Sequence, residues 1–258
     1  MSTRAQQHAA RVLHRDRVSE HLVRLELDVP DFVSTGVPDE WVGLVVPGQF
    51  QSRYYTVREH RGGVMVLDVV VHDEGLVTEW AARDVTGDEV TILEAKGSFR
   101  LPADAAWLIL VGDLTAMPAM ARIAASVPLT LPTRIWAEVP DDLPGYLPDS
   151  LPSGAVTWLR PPAEGHSDLA AVVEAIDWPA GEGYFWMAGE SGAMRAIRKH
   201  LMRERRLPST AYDVMGYWRG GAVRAPRAVD PGPIYRAGKA AGRTDDEIWA
   251  AYDAAREP

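Results

Sequence analysis

The chain of 258 residues is 47% hydrophobic and carries 27 basic against 36 acidic side chains, a formal charge of -9. That apolar content supports one large core or two compact ones, while the negative balance argues against general nucleic-acid binding, because nothing in it would neutralise a phosphate backbone. The lack of cysteine excludes disulfides, thiolate zinc sites, thiol nucleophiles and cysteine-ligated clusters, so redox chemistry would need a bound cofactor.

Val23, Leu25, Leu27 and Val29 alternate with Arg24, Glu26 and Asp28, the period of a half-buried strand. A second strand is expected from about Phe50 to Arg58, turning at Arg61-Gly62-Gly63 into Val64–Val71 as a hairpin. Asp88–Glu94 continues the pattern, and one short helix is expected near Thr78–Arg83. Short turns between strands predict an antiparallel barrel. After Leu101-Pro102, Trp107–Gly112 is a continuous apolar run suited to a strand buried on both faces. A helix from Pro118 to Ser126 follows, with proline tolerated in its first turn. Next come a strand at Thr133–Val139, a Pro-rich loop at 140–153, a short strand at Val156–Leu159 and a helix at about 167–177. The strand Tyr184–Ala188 then leads through Gly189-Glu190-Ser191-Gly192 into a helix ending near Arg206. This alternation predicts a parallel, Rossmann-like sheet. The expected organisation is a barrel over 1–103, an α/β domain over 104–220 and a tail over 221–258. The tail ends in a helix whose Thr244 and Glu247 have capping-box spacing.

The stretch Arg53-Tyr54-Tyr55-Thr56-Val57-Arg58 carries the most chemistry. A guanidinium matches a phosphate bidentately, a tyrosine ring stacks on an isoalloxazine, and a threonine hydroxyl donates and accepts beside a redox-active nitrogen. His72 to Ala81 places Gly75 and Thr78 at a helix start, where backbone N–H groups can meet an anion. Thr78 as a simple cap with Trp80 as a core anchor is an equal account. Gly112-Asp113-Leu114-Thr115-Ala116-Met117-Pro118 follows a buried strand and opens a helix, where open α/β sheets bind nucleotides. Gly189-Glu190 forms a second such turn. Glu138 at a strand end suits a ribose hydroxyl, and Arg160 suits a 2′-phosphate.

In order, R-x-Y-T-x-R, H-x-x-G-x-x-T-x-W-A, G-D-x-T-A-x-P-A, A-G-E and Gly216-Tyr217-Trp218-Arg219-x-Gly221 resemble the siderophore-interacting proteins, flavin-dependent ferric-siderophore reductases of the ferredoxin-reductase superfamily. The resemblance covers about residues 12–221. It implies an FAD-binding barrel, an NADH- or NADPH-binding α/β domain and reduction of ferric siderophores with release of iron. It assigns Arg53 to the flavin phosphates, Tyr55 and Thr56 to the isoalloxazine, Gly75 and Thr78 to the pyrophosphate, and His72 to a place beside the flavin. Arg58 matches the first motif, a structural salt bridge being an equal account. Asp113, Thr115 and Ala116 would meet the pyridine nucleotide, Gly189 and Glu190 would lie near the nicotinamide, and Tyr217 and Trp218 would close the flavin site. Leu114 departs from the family's usual glutamate.

No side chain is expected to act as acid or base, the chemistry falling to the flavin with Thr56 and Glu190 nearby, and no resident metal is expected. An anionic ferric siderophore needs a local basic surface on so acidic a protein. Lys96, Arg219, Arg224 and Arg227 are candidates, the last three also reading as a solvated linker. With no signal-peptide core near Met1 and no apolar run of membrane-spanning length, a cytoplasmic, soluble monomer is expected. Two rivals stand beside this reading: a flavin reductase for another, possibly biosynthetic, substrate, and a non-catalytic binder on the same barrel.

Overall fold

The computed structural model describes residues 6–49, 51–72, 75–162, 166–219, 231–244, 247, 248 and 251. Six strands, β1 (Gln7–Ser19), β2 (Leu22–Asp28), β3 (Trp41–Val45), β4 (Arg53–Arg61), β5 (Val64–Val70) and β6 (Glu89–Leu93), close into a barrel in the order β1-β2-β5-β4-β3-β6. The alternation in β2 does what its period dictates: Val23, Leu25 and Leu27 are fully buried inside the barrel, with Val29 just beyond the strand. They pack with Met65, Leu67 and Val69 from β5. Gly62 and Gly63, at φ 60° and 81°, supply the two positive-φ positions that a tight β4–β5 hairpin turn requires.

A short helix, α1 (Leu76–Ala82), follows β5, and Trp80 on it is buried in the barrel core with its Nε1 donating to Asp88 at 2.7 Å. Strands β1 and β3 lack a clean apolar alternation over their length and were not expected from the pattern. β4 begins at Arg53, and Phe50 lies outside the described residues.

The second unit is a five-stranded parallel sheet of β7 (Leu108–Asp113), β8 (Thr133–Glu138), β9 (Val156–Leu159), β10 (Tyr184–Glu190) and β11 (Tyr212–Trp218), in the order β11-β10-β7-β8-β9. All six β7 residues are buried, as befits a central strand covered on both faces. Helices α2 (Met117–Ser126), α3 (Leu169–Ala175) and α4 (Ser191–Lys199) connect the strands, and α4 continues as one π-helical turn, His200–Glu204. The chain moves outward from β7 to β8 and β9, then returns to the other side of β7 for β10 and β11. That reversal puts a topological switch point at the carboxyl ends of β7 and β10.

Three contacts fix the barrel against the sheet. Asp39 accepts from the Ser98 and Phe99 N–H groups at 2.9 and 3.0 Å and from Trp186 Nε1 of β10 at 3.3 Å. Arg122 of α2 donates to the Val57 carbonyl and lies 3.8 Å from Glu40. Asp68 of β5 is held bidentately by Arg24, both bonds 2.7 Å, and accepts the hydroxyl of Tyr146 from the Pro-rich loop. A further helix, α5 (Pro231–Ala240), lies in the tail, and beyond it Thr244 and Glu247 close their capping box, with Thr244 N–H donating to Glu247 at 2.8 Å. No helix among the described residues is long and apolar enough to cross a membrane.

Candidate functional site

A cavity of about 880 Å³ opens where β4 and the end of β5 meet the carboxyl ends of β7, β8 and β11. Its wall brings together Arg53, Tyr55, Thr56, His72, Asp113, Thr115, Tyr217 and Trp218, residues separated by up to 165 positions (218 − 53) in the chain. Ser52, Tyr54, His21, Leu114, Glu138 and His166 complete much of the lining.

The β4 segment supplies three kinds of group in four residues. Arg53 is exposed, and its one hydrogen bond among the described residues is a long 3.4 Å contact to the neighbouring Ser52 carbonyl. Tyr55 leans on the barrel core, and burial pushes its phenol up against the opposing pull of Arg53. Thr56 is buried, and its Oγ1 has no hydrogen-bond partner. The Tyr217 hydroxyl, also buried, has none either. Burial pushes the Tyr217 phenol up, and the nearby Thr56 hydroxyl opposes this without forming a hydrogen bond of good geometry. Two unpaired buried hydroxyls on one cavity wall carry a desolvation cost that a polar ligand edge would remove.

On the sheet side the geometry redistributes several expected roles. Asp113 accepts from Thr115 N–H at 2.9 Å, Thr115 Oγ1 at 2.6 Å and Trp218 Nε1 at 2.6 Å. Burial raises the Asp113 carboxyl, and these donors oppose the rise. Asp113 therefore orients Trp218 from 105 residues away. Gly189 sits at φ 153°, and a Cβ there would come within 2.5 Å of Asp113 Oδ2. Ser191, which no motif singled out, donates to the Trp218 carbonyl at 2.6 Å, so Trp218 is held at both ends. Glu138 is buried, and its Oε1 accepts the Asp168 N–H at 2.9 Å ahead of α3. Its carboxyl is raised, chiefly by burial.

Other expected residues sit elsewhere. The Thr78 hydroxyl accepts from His72 N–H at 2.7 Å and donates to the His72 carbonyl at 3.0 Å, so it pins the cavity residue His72 and is committed before any pyrophosphate arrives. Gly75, at φ 126°, opens α1 and is outside the cavity lining, as is Thr78. Arg58 turns to the second domain, bonding the Tyr146 carbonyl at 3.0 Å and lying 4.9 Å from its ring centre, with Asp68 at 3.9 Å. That geometry favours the structural account of Arg58. Ala116 is fully buried, and its methyl lies where a Gly112 side chain would sit, so it presents no surface to a nucleotide. The Glu190 carboxylate accepts from Ala193 N–H at 2.9 Å and caps α4. Arg160 binds Asp142 at 2.6 Å and the Pro140 carbonyl, outside this cavity. Lys96 is exposed and joined to Trp41 only through backbone pairing, and Arg219 is exposed outside the lining. Arg224 and Arg227 lie outside the described residues. Leu114 lines the cavity as an apolar side chain.

Comparison with known proteins agrees with this architecture. Residues 105–221 match the family model described as siderophore-interacting protein. The ferric vibriobactin reductase ViuB of Vibrio cholerae is 33% identical over 176 residues, 66% of this chain and 65% of that protein. The mycobactin import ATP-binding/permease protein IrtA of Mycolicibacterium smegmatis is 28% identical over 240 residues, 88% of this chain and 27% of that protein. This chain thus spans about a quarter of the length of IrtA and just under two thirds of ViuB. A siderophore utilization protein from T. fusca superposes with a TM-score of 0.74 at 27% identity, covering 84% of this chain and 94% of that one.

Proposed function

We propose that this chain, whose residues 105–221 match the siderophore-interacting protein family model, is an FAD-dependent oxidoreductase of that family that draws on NADH or NADPH to reduce ferric siderophores and release Fe(II). The observation that carries the reading is the cavity at the switch point, where an unengaged arginine and two buried, unpaired hydroxyls share one wall. These residues fit a flavin. Arg53 would hold its phosphates, Tyr55 would pack on the ring, and Thr56 and Tyr217 would hydrogen-bond its polar edge. A flavin bound there supplies exchange between a two-electron hydride donor and one-electron acceptors.

The chain's own residues do the positioning. Trp218, fixed by Asp113 and Ser191, walls the cavity on the sheet side and excludes water. Asp113 and Glu138, raised by burial, temper the repulsion an anionic nucleotide would meet at the carboxyl ends of β7 and β8. Loss of charge from Fe(III) to Fe(II) weakens hard oxygen ligation and frees the metal.

Stopped-flow absorbance tests the assignment. The FAD-loaded protein is expected to bleach on mixing with NADH or NADPH, and its colour to return anaerobically with ferric hydroxamates or catecholates. No bleaching with either nucleotide sinks the reductase reading. Bleaching without reoxidation by ferric chelates leaves a flavin reductase for another acceptor, whereas the apolar Leu114 in the cavity wall supports a non-catalytic binder, the reading left if neither nucleotide bleaches the flavin.

A further inference from the structure

The β1–β2 turn brings a histidine to the cavity that the motifs leave unused. His21 lines the cavity wall, and its Nδ1 lies 2.8 Å from Asp141 Oδ1 on the loop after β8. Asp141 is anchored from the same turn, its Oδ2 accepting the His21 backbone N–H at 2.8 Å and the Ser19 hydroxyl. Burial pushes the Asp141 carboxyl up, but the Ser19 and His21 donors outweigh it and hold it below its usual range, so it stands as a carboxylate. A carboxylate at Nδ1 requires the proton on that nitrogen, which leaves Nε2 to exchange a proton with whatever fills the cavity. The His21 side chain is 41% exposed and that of Asp141 9%, so the ring has a solvent path while its partner is fixed. Glu20 brings a third donor atom within 4.8 Å of the other two, but both Asp141 oxygens already accept from N–H or O–H donors, which favours a proton over a cation between them.

Resting on the ferric-siderophore reading, we infer that His21, oriented by Asp141, is the general acid that protonates the siderophore oxygen as iron is reduced. One electron from a reduced flavin makes the iron Fe(II) and adds one negative charge to the chelate. The Fe–O bond breaks with its electron pair staying on oxygen, and that oxygen takes the proton from Nε2 of the imidazolium. His21 is left neutral, keeps Nδ1–H on Asp141, and regains its Nε2 proton from solvent. The transfer offsets the charge added to the chelate, and a protonated oxygen no longer competes for Fe(II).

Ferricyanide supplies the control, because its cyanide ligands stay bound and take up no proton on reduction. The comparison is the rate with the ferric complexes of 2,3-dihydroxybenzoate and acetohydroxamate divided by the rate with ferricyanide. In His21→Ala this ratio is expected to fall on the order of 100-fold or more, to lose the solvent deuterium isotope effect of the wild type, and to recover with added imidazole. An unchanged ratio, or a fall that imidazole does not reverse, overturns the inference while leaving the reductase reading intact. A wild-type protein that reduces ferricyanide but neither chelate overturns the reading and this inference with it. Nitrogen-15 NMR of the flavin-free wild type gives a readout independent of any variant's folding. The Nδ1–H tautomer of His21 supports the assignment, and the Nε2–H tautomer overturns it.

Discussion

At the scale of single residues the site is built from groups left without partners, and Arg53 is the clearest. Among the described residues its guanidinium makes one long bond, to the adjacent carbonyl, so removing it costs the fold little, and a loss of binding in Arg53→Ala reports on a ligand. Loss of a charged hydrogen bond to phosphate is expected to weaken FAD binding by about 1.5–3 kcal/mol, read by calorimetric titration of FAD into the flavin-free protein. An affinity equal to that of the wild type contradicts the phosphate role. Thr78 has the opposite character, because its hydroxyl already serves the His72 backbone twice. Thr78→Val, close in shape, is expected to destabilise the fold by about 0.5–1.5 kcal/mol by removing the two hydrogen bonds to the His72 backbone. Urea denaturation checks it, and a midpoint identical to wild type returns Thr78 to the list of ligand-facing residues.

At the scale of elements, the parallel pairing of β7 and β10 brings their carboxyl ends side by side. Gly189, next to last in β10, sits at positive φ, and the space its side chain would take belongs to the Asp113 carboxylate. Gly189→Ala therefore strains the backbone and pushes Asp113 away from Trp218, and it is expected to destabilise by about 1–3 kcal/mol with a change in tryptophan emission. Wild-type thermal stability and emission together refute that account. Both strands were legible in the sequence: an unbroken apolar run marks β7, and alternation of strands and helices marks a parallel sheet. The period of Val23 to Val29 likewise announced the barrel. What the pattern could not carry is who spends which hydrogen bond. Nothing local in Gly112–Pro118 says that Asp113 is committed to a tryptophan far down the chain. Nothing in R-x-Y-T-x-R says that Arg58 serves Tyr146 while Arg53 stays open. The broken alternation of β1 and β3 has a similar cause: barrel closure supplies their partners, so local pattern need not.

At the scale of the whole molecule the cavity exists only because barrel and sheet are locked together, and beside Asp39 two further carboxylates act as locks. Asp68 joins Arg24 to Tyr146, and Asp141 joins the β1–β2 turn to the loop after β8. The pH dependence of the second lock follows from the direction in which its carboxyl moves. Burial raises Asp141, the Ser19 and His21 donors lower it further, and the folded value ends below that of the unfolded chain. The unfolded state then binds its proton first on acidification. The lock's stabilisation is accordingly complete above the ordinary carboxylate value of about 3.9 and is lost as pH falls through the folded value. Asp141→Asn removes the titrating group while keeping an acceptor. It is expected to cost on the order of 1 kcal/mol at pH 7 and to shrink the gap between the pH 7 and pH 3 urea midpoints relative to wild type. A variant gap as wide as that of the wild type would mean that the two domains are held by the Asp68 and Asp39 contacts alone, and that acid acts on the molecule elsewhere.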